Sequence, residues 1–177
     1  MKKLQNILLI AQAIVVIGTC VWAVTHFSQT DKMGYVQLNT VYSDFSLKQE
    51  LEAQLDKVQN KRSAVLDSLR MDLEALARTL DNQPAPDENQ LRQFEVRRQT
   101  YLAKEQQFTE DNQRLAAQYR EQVWKQINQY VRDYGQAEGY RIIHGADGTG
   151  GLMFAEEALD VTEAVTAYIN TRYNGQS

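Results

Sequence analysis

The stretch from Leu47 to Tyr134 contains no glycine and holds both prolines of the chain, Pro84 and Pro86, in the segment Asp81-Asn82-Gln83-Pro84-Ala85-Pro86-Asp87. Proline lacks the N–H that a helix needs and biases the residue before it away from helical angles, so the pair breaks an otherwise helical run. The stretch reads as two helices, Leu47–Leu80 and Glu88–Tyr134, joined by a tip at 81–87. At the helical rise per residue these are rods of roughly 50 and 70 Å, too long for a small compact domain. They have to pair as an antiparallel hairpin and project.

The apolar spacing agrees with pairing. Leu47, Leu51, Leu55, Val58, Arg62, Val65, Leu69, Leu73, Leu76 and Leu80 recur every three or four residues, which keeps one stripe of the first helix on one face. The second helix carries a similar ladder through Leu91, Phe94, Arg98, Tyr101, Glu105, Phe108, Asn112, Leu115 and Tyr119. Arg98, Glu105 and Asn112 place polar groups in that stripe, which lowers the stability of a coiled-coil seam while restricting its register. The seam is expected to be narrow, and weak in its middle.

The first thirty residues have a different character. Met1-Lys2-Lys3 precedes an apolar run from Ile7 to Val24, the pattern of a targeting segment, and the positive-inside rule places the rest of the chain across the membrane. Three fates fit the run: a cleaved signal, with Val21-Trp22-Ala23 at the cleavage site; a retained inner-membrane anchor through residues 7–24; or lipidation at Cys20.

Removing Lys2 and Lys3 from the 19 basic residues leaves 17 against 23 acidic ones, a formal charge of −6 for the remainder. This argues against nucleic acid as partner, because phosphate binding needs concentrated Lys and Arg. Lys61-Arg62 and Arg97-Arg98 are flanked by acids and read as solvated faces. Beyond the first thirty residues there is one histidine, His144, and no cysteine. No metal-ligand spacing or nucleophile–base grouping is present, so an enzyme is not expected and neither metal nor cofactor is called for. Acids such as Glu50, Glu52 and Asp56 sit at ordinary helical spacing beside basic residues.

What remains, 31–46 and 120–177, is a small base. Gly34-Tyr35-Val36-Gln37-Leu38-Asn39 alternates like a half-buried strand, and Asn39 caps a short helical turn over Thr40–Phe45. Ser46 with Gln49 offers a capping box for the first long helix. Val123, Trp124, Ile127, Tyr130, Val131 and Tyr134 cover more than one face and pack into the base, after which Gly135 and Gly139 end the helix. Two strands, Tyr140–Ile143 and Leu152–Ala155, flank a glycine-rich loop, 144–151, that lacks the Lys-Ser/Thr pair of a phosphate loop and reads as a hairpin turn at Asp147-Gly148. Asp160-Val161-Thr162-Glu163 starts a last helix with Val165, Tyr168, Ile169 and Tyr173 facing inward, and Asn174-Gly175 ends it. The fold class is mainly α with a small β part (α+β), and so small a base buries little surface by itself unless it oligomerises.

Gly34 to Tyr42, the proline-broken hairpin, Tyr140-Arg141-Ile142-Ile143, and Leu152-Met153-Phe154-Ala155 followed by Asp160-Val161-Thr162 together resemble the Skp/OmpH periplasmic chaperones in order and spacing. The resemblance implies a homotrimer whose bases share a β-barrel, with Tyr35, Val36, Leu38, Ile142, Ile143, Leu152, Met153 and Phe154 in the oligomerising part. It implies an ATP-independent holdase that keeps unfolded outer-membrane proteins soluble in a cavity between the arms. On that view Arg98, Glu105 and Asn112 let the arms bend, and Phe94, Tyr101 and Phe108 offer apolar contacts where the seam opens. The acidic charge departs from the family's basic pattern and puts electrostatic capture of clients in doubt. The competing class is a membrane-anchored coiled-coil adaptor of the envelope, with one defined partner for the arm.

Overall fold

The computed structural model describes Thr19 and residues 32–175; apart from Thr19, the targeting segment with Cys20 lies outside the described residues. No helix among the described residues is long and apolar enough to cross a membrane. The elements are β1 (Met33–Gln37), α1 (Leu38–Asp44), α2 (Ser46–Asp81), α3 (Glu88–Glu138), β2 (Ile142–Ala146), a 3-10 turn (Glu157–Leu159) and α4 (Thr162–Tyr173). α2 and α3 have 36 and 51 residues. These are rods of about 54 and 76 Å at the helical rise.

The proline-bearing tip separates them as expected. Asn82 N–H donates to the Arg78 carbonyl, Gln83 N–H to that of Leu80, and Asp87 opens α3 with a reciprocal capping box to Gln90. Leu80 closes the seam beneath the tip and is buried. At its other end α3 runs straight through the base and stops at Gly139, whose φ of 73° is left-handed and whose N–H returns to the Gly135 carbonyl. Gly135 does not end the helix: it lies inside it, buried, beside Ile143.

The core belongs to the base and the arm root. Val36, Val41, Phe45, Leu47, Leu51, Val123, Ile127, Tyr134, Val165 and Ile169 form one buried cluster, drawing on β1 and all four helices. α4 contributes Val165 and Ile169, with Tyr168 and Tyr173 packed against the cluster, as its spacing indicated. Phe45, the single residue between α1 and α2, is fully buried and meets Tyr130 and Tyr173 edge-on. Trp124 stacks on Tyr42 as part of the same packing.

β1 and β2 pair in parallel, Met33 opposite Ile142 through Gln37 opposite Ala146. Parallel neighbours need a crossover, and here the crossover is the whole arm. Several local expectations are corrected by this arrangement. Leu38 is the first residue of α1, not a strand residue, and it covers Gly145 so closely that a Cβ there would lie 2.7 Å from a Leu38 methyl. Ser46 builds no capping box; Phe45 takes the cap position, and the Ser46 N–H is satisfied from α4. Leu152–Ala155 is not a strand, so Asp147-Gly148 turns no hairpin. β1 is already flanked, by β2 on one side and on the other by the Asp160 bridge, where Val161 N–H donates to the Tyr35 carbonyl.

Candidate functional site

The arm seam is only half-buried between Leu51 and Leu80 on α2. Leu55, Val58, Arg62, Leu66, Leu69, Leu73 and Leu76 line it, and Val65 does not: it is 46 % exposed while Leu66 turns inward. On α3 the inward residues include Phe94, Tyr101, Lys104, Phe108, Asn112, Leu115 and Tyr119. Leu91 is exposed.

Of the three polar residues expected in the seam, only Asn112 is there. Arg98 lies on the outer surface and grips Glu95 through two hydrogen bonds of 2.9 and 2.8 Å. Those bonds, with one from Gln99, hold the Glu95 carboxyl below its usual range and the guanidinium above its own. Glu105 is also outside and accepts the Tyr101 hydroxyl at 3.1 Å, a bond that raises the Tyr101 phenol. The reason is geometric: residues three and four along a helix both border a seam, and the partner helix decides which turns in.

Asn112 accepts a hydrogen bond from Arg62 across the hairpin, and the same guanidinium lies 3.8 Å from Asp111 and 5.5 Å from the centre of the Phe108 ring. Lys104 approaches that ring at 5.7 Å. The sequence placed Arg62 and Asn112 in facing stripes but gave no sign that they bond. Apolar groups left outside the seam are Val65, Met71, Leu91, Val96 and Leu102, spread along the rod rather than gathered in a patch.

At the arm root a groove of about 460 Å³ opens between α1, α2 and α3, walled by Tyr42, Leu51, Leu55, Ala116, Tyr119 and Val123. Lys48 and Glu52, paired at 2.7 Å, stand at its rim. Below it the last helix holds the start of the arm. Asn170 Oδ1 accepts from the Ser46 N–H at 2.8 Å and the Ser46 hydroxyl at 3.0 Å, while its Nδ2 donates to the Asp44 carbonyl at 3.0 Å. Tyr173 donates its hydroxyl to Glu50 at 2.5 Å, and that bond followed by burial pushes the phenol up to about 12.

In the base, Val36 is buried and Tyr35, Leu38, Ile143 and Leu152 are partly so. Ile142 is exposed, and Met153 and Phe154, at 87 and 83 %, are the most exposed large apolar side chains among the described residues. Asp160 organises the entry to α4, accepting from Thr162 N–H at 2.8 Å and its hydroxyl at 2.5 Å. Burial works against its charge, but the bonds from Thr162 and Tyr35 outweigh that and lower the carboxyl. Among the described residues no group of three His, Cys, Asp or Glu is placed to hold a metal ion. What the described residues offer is surface: a long, thin arm of mixed apolar and polar character, a groove at its root, and the exposed Met153 and Phe154 on the base.

The sequence model of a family described as Outer membrane protein (OmpH-like) matches residues 32–169. No curated protein matches the chain. Among solved structures, one described as an OmpH-like outer membrane chaperone from Caulobacter crescentus is similar with a TM-score of 0.58 at 19 % identity, over 80 % of this chain and 85 % of that one.

Proposed function

This chain belongs to the OmpH-like family, and from that premise we propose that it is a chaperone of the cell envelope, an ATP-independent periplasmic holdase for unfolded outer-membrane proteins. The observation that carries the reading is the disproportion between arm and base. A hairpin with one half-buried seam projects from a base in which the Leu152–Ala155 segment is unpaired and its Met153 and Phe154 side chains find almost no cover among the described residues. A segment of strand-forming sequence that has no partner in its own chain's sheet is completed when other copies supply the missing ladder, and closure of such strands removes their edges. Three copies then stand their arms around a common space.

Within that space the arm offers many weak contacts. Met71, Leu91, Val96 and Leu102 are exposed singly among charged neighbours, and Phe94, Tyr101 and Phe108 lie at the seam behind them. Dispersed apolar groups on a charged rod retain an unfolded chain without imposing one conformation on it, which is what a holdase requires. The acidic charge makes apolar contact, rather than electrostatic attraction, the source of retention.

The test is aggregation. A β-barrel membrane protein diluted from urea into buffer with the full chain and no nucleotide stays clear by light scattering if the reading holds. Scattering that rises as fast as in buffer alone contradicts it.

A further inference from the structure

Two rods fixed together only at the tip bend easily, because each slides past the other as the pair curves. Rods pinned at several points cannot slide and are much stiffer. Apolar contacts are non-directional and tolerate small sliding, whereas hydrogen bonds weaken steeply when their geometry is disturbed. The places where directional bonds cross from α2 to the rest of the molecule therefore set how freely the arm bends.

Among the described residues there are two such places besides the tip, apart from one long bond of 3.5 Å that the Tyr119 hydroxyl donates to Gln54 Oε1 between them. One is midway, where Arg62 bonds Asn112, faces Asp111 at 3.8 Å and lies over Phe108. The other is the root, where Asn170 makes three hydrogen bonds to Ser46 and Asp44 and Tyr173 bonds Glu50. α4 is itself seated on α3 through the Tyr134–Tyr168 ring contact, centroids 5.4 Å apart, so the root bonds tie α2 to α3 through α4. The asymmetry of the arm makes this matter. α3 enters the base as one unbroken helix, while α2 is jointed to it by the non-helical Phe45.

We propose that Arg62 and Asn170 are shear pins: positioning residues that block sliding of α2 along α3 and so fix the stiffness of the arm. The polar position in the seam is then a fastener, the reverse of a weak point. The mechanical claim stands independently of what the arm binds. Its consequence, that the pins set the range of client sizes the arms enclose, rests on the holdase reading.

The test measures bending without any client. The full chain carries Cys20→Ser and spin labels at Thr40→Cys and Gln93→Cys, diluted into unlabelled protein so that each assembly holds at most one labelled copy. The distance distribution between the labels reports the swing of the arm. Arg62→Met broadens it about twofold with helix content unchanged and the thermal midpoint only modestly lowered, since the substitution removes one partner of a half-buried pair and the remaining one, Asp111, keeps Arg114 at 3.6 Å. Asn170→Ala broadens it as well, and the two together broaden it further. A wild-type width in Arg62→Met, or broadening that comes only with loss of helix, overturns the proposal, as does a wild-type width in folded Asn170→Ala. If Asn170→Ala fails to fold, Arg62→Met, which lies outside the base, decides alone. Failure here leaves the aggregation result untouched, and the reverse is equally true.

Discussion

Single residues fix the base more than its size suggests. Asp160 accepts two bonds from Thr162, and the Thr162 hydroxyl in turn accepts the Gln37 N–H at 2.8 Å, so one carboxylate organises both the end of β1 and the start of α4. Asp160→Ala is expected to cost about 1 kcal/mol at neutral pH, the usual loss for a helix-start acceptor, measured by urea unfolding. Because the folded carboxyl is lowered, its contribution is present above the ordinary Asp range and fades as pH falls through and below it. The variant and the wild type therefore converge in acid. Gly145 shows the opposite kind of constraint, absence of a side chain. Gly145→Ala drives a methyl into Leu38 and is expected to lose about 1–3 kcal/mol. Gly151→Ala, with nothing within 4 Å of the added carbon, stays within about 0.5 kcal/mol.

At the scale of elements, the parts written locally were legible. Paired prolines gave the tip, the leucine stripe gave the hairpin, and Val165 and Ile169 gave the inner face of α4. What failed were features decided by a distant partner. Asn170 caps α2 from a position 124 residues away, which no local pattern announces, so a capping box at Ser46 was the natural misreading. Leu152–Ala155 has strand composition, but composition supplies no partner strand. The seam drifted at Val65 for a related reason. Buried Leu47 and Leu80 and half-buried Val58 and Leu69 are spaced by eleven residues, a repeat close to the natural helical period, and it returns Leu66 rather than Val65 to the partner after Leu55. Thermal unfolding checks this: Leu66→Ala is expected to cost about 1 kcal/mol or more, and Val65→Ala within about 0.5 kcal/mol. Equal losses would return the seam to Val65. Arg98 and Glu105 were misplaced by the same ambiguity.

The described part of the molecule is a long arm held by a small core, and its most exposed large apolar side chains belong to the base. Met153 and Phe154 stand almost fully in water, in a base whose sheet has two strands among the described residues. On the proposed reading they are covered by neighbouring copies, so Met153→Ser with Phe154→Ser shifts the assembly to single chains in analytical ultracentrifugation, with the helix content of the arm retained. A variant that sediments like the wild type means that other surfaces hold the copies together. Assembly and retention are the two halves of the central claim, and native mass spectrometry of the full chain mixed with a urea-denatured β-barrel membrane protein reads both at once. The account predicts three copies of the chain carrying one client; single chains with no client bound would contradict it.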